Sequence, residues 1–236
     1  MAKHLDLEEQ EQLDEIKHFW KQYGNLITWA LLIICGSFAA WNGYNYWQRG
    51  QQSQAAMMYD EVERAAASGD VAQLDRAVTD MKDKFGSTAF AQQAGLLAAK
   101  TYYDKGNLEG AKASLSWVAG KSADPGYQAL AKLRLAAVLL EAKAYDEALQ
   151  QLTGTFHPDF TALVADRRGD ILMAQGKPSE ARSAYEAAYK GMDAQTEYRR
   201  LVEVKLNALG VNPSVASPSP AAAAAASSTT ATEAKQ

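Results

Sequence analysis

Few side chains in this 236-residue sequence have the types and spacing to do chemistry. The three histidines are His4, His18 and His157, and only His157 lies in the long polar part of the chain. A metal centre or a nucleophile–base pair needs converging ligands, and the sequence shows no such constellation. Asp166, Asp170 and Glu180 read as separate, solvated carboxylates on helix faces. Gly176 to Glu180 (GKPSE) pairs Gly with Lys as phosphate loops do, but the spacing of such a loop is missing. It reads instead as a turn followed by a helix start, with Pro178 in the first turn. The single thiol, Cys35, sits in an apolar run, so the rest of the chain holds neither thiol nor disulfide, which suits an oxidising compartment. The expectation is a protein without catalytic residues, cofactor or metal, whose work is binding.

Binding residues need elements to position them, and the first of these is apolar. Leu26 to Trp47 (LITWALLIICGSFAAWNGYNYW) carries no charge, and as a helix it reaches roughly 33 Å, enough to cross a bilayer core. Trp41, Tyr44, Tyr46 and Trp47 crowd one end as an interfacial aromatic belt would, and Lys21 and Arg49 flank the run. A cleaved signal peptide would start with a basic region, whereas this head holds Asp6, Glu8, Glu9, Glu11, Asp14 and Glu15. A buried core helix is the other alternative. The segments read as a cytoplasmic amphipathic head (1–24), a transmembrane helix (25–47), a soluble helical domain (48–210) and a disordered Ala/Ser/Pro-rich tail (211–236). Lys17 and Lys21 on one side balance Arg49 and Arg64 on the other, so charge alone leaves the orientation open. In the head, Leu13, Ile16, Phe19, Trp20 and Tyr23 form the apolar stripe. Net charge is −4 with both signs mixed, and no basic stripe points to nucleic acid.

The second element is a repeat. Ala77, Ala111, Ala148 and Ala181 are each followed four positions later by a large residue: Met81, Leu115, Leu152 and Tyr185. The steps are 34, 37 and 33 residues. Upstream of the last three motifs lie Ala99 with Tyr102, Ala136 with Leu139, and Gly169 with Leu172. Small residues let two antiparallel helices approach, and large ones fill the seam to the next pair. Stacked pairs then bury a core that no single pair could. The pattern is similar to the tetratricopeptide repeat, though without its Trp. The predicted fold is all-α: one N-terminal transmembrane helix followed by a tetratricopeptide-like solenoid. Its last helix, Ala194 to Leu209, is expected to turn Leu201, Val204 and Leu209 inward and Arg199, Arg200, Glu203 and Lys205 outward.

Aligned to that repeat, three rows would line the concave face and bind protein. They are Gln93, Leu96, Lys100 and Tyr103; Leu130, Leu133, Ala137 and Leu140; and Leu163, Asp166, Asp170 and Met173. An exposed groove this apolar suits extended segments of another protein, while the alternative assigns part of it to the core. In the membrane helix, Gly36 with Ala40 and Ala39 with Gly43 are small pairs four apart that allow close helix packing in lipid.

The opening EEQEQLDEIKHFWKQYGN, the span ending WNGYNYW, and KFGSTAFAQQAGLLAAKTYYDKGNLEGA resemble the YfgM-type ancillary SecYEG translocon subunits of Gram-negative bacteria. The resemblance covers roughly residues 5–210. It implies an inner-membrane protein with a cytoplasmic N-terminus and periplasmic repeats. It further implies association with SecYEG and with the membrane-anchored chaperone PpiD, and a role in passing secretory polypeptides on. An envelope-assembly scaffold and a general periplasmic holdase are the competing readings.

Overall fold

The computed structural model describes residues 7–213, with side chains from residue 17 onward. Positions Leu13 and Ile16 of the head stripe, and the tail beyond residue 213, lie outside the residues so described. The described elements are all helices: α1 (Leu7–Ser68), α2 (Val71–Phe85), α3 (Ala89–Asp104), α4 (Leu108–Lys121), α5 (Pro125–Glu141), α6 (Tyr145–Gln151), α7 (Pro158–Ala174), α8 (Pro178–Gly191) and α9 (Glu197–Ala208). Contacts divide the chain into a first unit ending at Gln54 and a second beginning at Ala55, within α1.

In the first unit, α1 is long and apolar enough to cross a membrane, and almost none of its apolar stretch is buried within the chain. Side chains from Leu26 through Trp47 face outward almost without exception. Uncovered apolar surface of this extent is costly in water and stable in lipid. Gly36 and Gly43 face open space.

The second unit is a stack of helix pairs. α3 packs with α4, α5 with α6 and α7 with α8, and the end of α1 shares a core cluster with α2 and α3. Ala111, Ala148 and Ala181 are each fully buried, and their partners Leu115, Leu152 and Tyr185 are buried as well. So are Ala99 with Tyr102, Ala136 with Leu139, and Gly169 with Leu172. The small residues set how close the helices come. A Cβ on Gly169 would lie 2.4 Å from Cε1 of Tyr185, so α7 and α8 can meet only where that side chain is absent. Burying each large seam residue contributes about 1.5–3 kcal/mol.

The turns inside the pairs share one geometry. Gly106 and Gly176 sit at φ 76° and 73°, in the left-handed region that glycine enters without strain. Lys143 holds the equivalent place between α5 and α6 at φ 59°, although it carries a Cβ. In all three turns this residue donates its N–H to the carbonyl three residues back. The next residue donates to the carbonyl five back, closing the helix end. The steps from 106 to 143 to 176 repeat the 37 and 33 of the buried alanines.

The terminal helix corrects one expectation. Val202 and Leu206 are the fully buried residues of α9, while Leu201 and Val204 are 47% and 63% exposed. Leu209 does pack on the core. The helix is turned so that Lys205 points inward, because two carboxylates wait for it on α7.

Candidate protein-binding surface

α3 and α5 run side by side and are tied at both ends. Gln93 Nε2 donates to Tyr127 Oη at 2.8 Å, and Tyr103 Oη donates to Glu141 Oε2 at 2.5 Å. The two bonds link residues 34 and 38 apart, so the helices point the same way with little slip. Asp124 caps α5 by accepting from the N–H groups of Gly126 and Tyr127. Its first turn therefore starts beside Gln93 on α3. Between the tied ends lies a cavity of about 240 Å3. Ala99, Leu115 and Val138 form its apolar floor. Lys100, Tyr103, Arg134 and Ala137 form its walls and rim. A second opening, between the end of α1 in this unit and α3, shares Lys100 with it.

The rim carries charge of both signs. Lys100 Nζ lies 2.6 Å from Asp104 Oδ2, an exposed pair worth little in water. Glu141, accepting the Tyr103 hydroxyl, pushes that phenol above its ordinary pKa. Among the described residues, Arg134 is exposed and makes no ion pair.

The sequence-predicted rows separate into open and buried positions. Lys100 and Tyr103 are exposed and, with Ala137, line the cavity. Gln93 is half-buried at the tied end. Leu96 and Leu133 belong to the hydrophobic core, and Leu130 and Leu140 pack partly against it. These apolar positions are therefore mostly core, the alternative weighed for them. Two residues outside the expected rows matter here: Arg134 lines the opening, and Glu141 holds the Tyr103 hydroxyl beside it. Residues 130, 134, 137 and 141 form a stripe at helical spacing, and that periodicity was the available signal.

On α7 the prediction needs correcting. Leu163 and Met173 are exposed, but Asp166 is only 1% exposed and Asp170 is half-buried. Neither is a free, solvated carboxylate. Asp166 accepts from Tyr198 Oη at 2.7 Å and from Lys205 Nζ at 2.8 and 3.0 Å. Asp170 accepts from Tyr185 Oη at 2.8 Å, from Lys205 Nζ at 2.7 Å and from Arg167 at 3.4 Å. Lys205 and Tyr198 come from α9, which closes the stack where another helix pair would otherwise continue. Arg199 adds to the closure, with its guanidinium 4.1 Å from the Tyr189 ring centre. Burial, and then the hydrogen bond to a carboxylate, pushes the phenols of Tyr185 and Tyr198 far above their ordinary pKa. Tyr102, bonded to Asp75, is raised for the same two reasons.

Of the three expected rows, those on α3 and α5 thus share an open face, while Asp166 and Asp170 of the α7 row are taken up in a structural clasp. Comparison with known proteins agrees with this architecture. The tetratricopeptide repeat-like domain family matches residues 17–211. An ancillary SecYEG translocon subunit of Neisseria gonorrhoeae is 35% identical over 213 residues, covering 89% of this chain and 100% of its own length. Proteins of the same name from Escherichia coli and Haemophilus influenzae are 27% and 28% identical, each over 86% of this chain and 97% and 98% of theirs. No solved structure matches. With its apolar N-terminal helix, its stacked helix pairs and these full-length relatives, the chain belongs to the family of ancillary SecYEG translocon subunits, which carry a tetratricopeptide repeat-like domain.

Proposed function

We propose that this protein is a non-catalytic accessory of the SecYEG translocon, held in the inner membrane by α1, with its N-terminus cytoplasmic and its repeats periplasmic. There the repeats take up segments of translocating polypeptides and pass them to a membrane-anchored chaperone such as PpiD. The observation that carries this reading is the open, apolar-floored cavity between α3 and α5, in a chain whose full-length relatives bear the translocon's name. A groove of stacked helices is suited to extended polypeptide. Gly36, Ala39, Ala40 and Gly43 are the positions proposed to meet a neighbouring helix in lipid. Photo-crosslinking tests the reading. A crosslinker placed at Tyr103 should capture a secretory chain arrested during export. One placed at the exposed Arg182 on α8 should not. Equal capture at both sites, or none at Tyr103, would contradict it.

A further inference from the structure

The cavity between α3 and α5 has a size and a polarity that specify more than polypeptide in general. At about 240 Å3 it is smaller than pockets that enclose drug-sized ligands, and it matches one large side chain. Its floor is aliphatic, from Ala99, Leu115 and Val138, so the side chain it takes is apolar. Its two ends differ. At one, the Tyr103 hydroxyl is already committed to Glu141. At the other stands Arg134, exposed and without an ion-pair partner among the described residues. Arg134 and Glu141 are seven residues apart on α5, about 10 Å along the helix axis. A guanidinium there can hold a carboxylate with two parallel hydrogen bonds, while Glu141 repels one at the opposite end.

We infer that this cavity is an anchor site for one aromatic or large aliphatic side chain of a partner polypeptide, with an adjacent acidic residue paired to Arg134. The inference rests on the reading of the α3–α5 face as a polypeptide-binding surface, and it adds a residue class and a direction. The apolar side chain fills the pocket, and the carboxylate lies on the Arg134 side, away from Glu141. An apolar residue flanked by Lys or Arg is discriminated against, because its cation would meet Arg134.

The test uses the full chain in lipid nanodiscs and three fluorescein-labelled Gly/Ser peptides that differ at two central residues: Phe-Asp, Ser-Asp and Phe-Lys. Binding is read by fluorescence polarisation. The Phe-Asp peptide should bind at least tenfold more tightly than Ser-Asp and several-fold more tightly than Phe-Lys. Ala137→Phe, which fills the cavity from its wall, should weaken Phe-Asp binding at least tenfold. Arg134→Glu lies on the surface and leaves the core intact, and it should reverse the order of Phe-Asp and Phe-Lys. Circular dichroism checks that both variants fold. If the three peptides bind equally, or if Phe-Asp binds both variants as it binds the parent, the anchor site is wrong. In that case the broader reading of a polypeptide-binding face stands. If no peptide binds the parent, both ideas of this surface fall.

Discussion

Replacing Lys205 by Met should release the terminal helix. Asp166, with 2% of its side chain exposed, and Asp170, with 20%, share the Lys205 ammonium at 2.7–3.0 Å. Removing that cation leaves Asp166 with only the Tyr198 hydroxyl and places it beside a second carboxylate. Breaking a buried pair by deleting one partner costs about 3–5 kcal/mol. Lys205 is 22% exposed, so some water reaches the site, and we expect the lower end, about 3 kcal/mol. Asp166→Asn should cost less, about 1–2 kcal/mol. Its amide oxygen still accepts from Tyr198, and Lys205 keeps Asp170. The double variant should be more stable than the sum of the two losses, because the amide no longer needs the cation. The assay is hydrogen exchange of α9 amides in the full chain, followed by mass spectrometry, which reads local opening. At tenfold per 1.4 kcal/mol, Lys205→Met should speed exchange across Glu197–Ala208 by about a hundredfold. Exchange within α3 should change far less. If α9 exchanges at the parent rate in Lys205→Met, the clasp does not hold the end of the stack and the reasoning fails.

Three further predictions follow from the same geometry. The phenols of Tyr102, Tyr185 and Tyr198 are raised above 10, mainly by burial, so the stability tied to their protons is complete below pH 10. It is lost as pH rises from 10 through their higher folded values. Urea unfolding at rising alkaline pH should show this loss, and Tyr185→Phe and Tyr198→Phe should make it shallower while costing about 1 kcal/mol each at neutral pH. A loss of the same steepness in both variants would contradict this. Lys143→Gly removes a Cβ from a left-handed turn and should raise stability by about 0.5–1 kcal/mol, while Gly176→Ala should lower it by about 1 kcal/mol. Urea midpoints that move the opposite way would show that the three turns are not equivalent. Gly169→Ala forces a methyl onto the Tyr185 ring and should cost about 1–3 kcal/mol, or more if α7 and α8 cannot part. An unchanged midpoint would mean that the pair is loosely packed.

The repeat rows were legible because their logic is local. Ala111 with Leu115 and Ala181 with Tyr185 lie one helical turn apart, and each pair is buried as its spacing implies. The long apolar helix was legible from its lack of charge. Other features depended on partners distant in sequence. Lys205 reaches Asp166 across 39 residues, and nothing near either one marks the contact. The stretch from 201 to 209 offers two apolar stripes, 201–204 and 202–206. The carboxylates on α7 decide between them by drawing Lys205 inward. On α5 the expected row and the open face differ by one residue: Leu133 belongs to the core and its neighbour Arg134 lines the cavity. One residue is about 100° of rotation, enough to move a side chain from core to rim. The repeat alignment set which face was inward only to within that angle. Packing of Leu133 and Leu140 against the core settled the rest.

Purification of the full-length chain from native membranes in mild detergent, beside a variant lacking residues 26–47, tests the central claim most directly. The account predicts that SecY, SecE and SecG follow the full chain, together with a membrane-anchored chaperone, and are lost from the shortened one. Recovery of envelope-assembly proteins without any translocon subunit would contradict it.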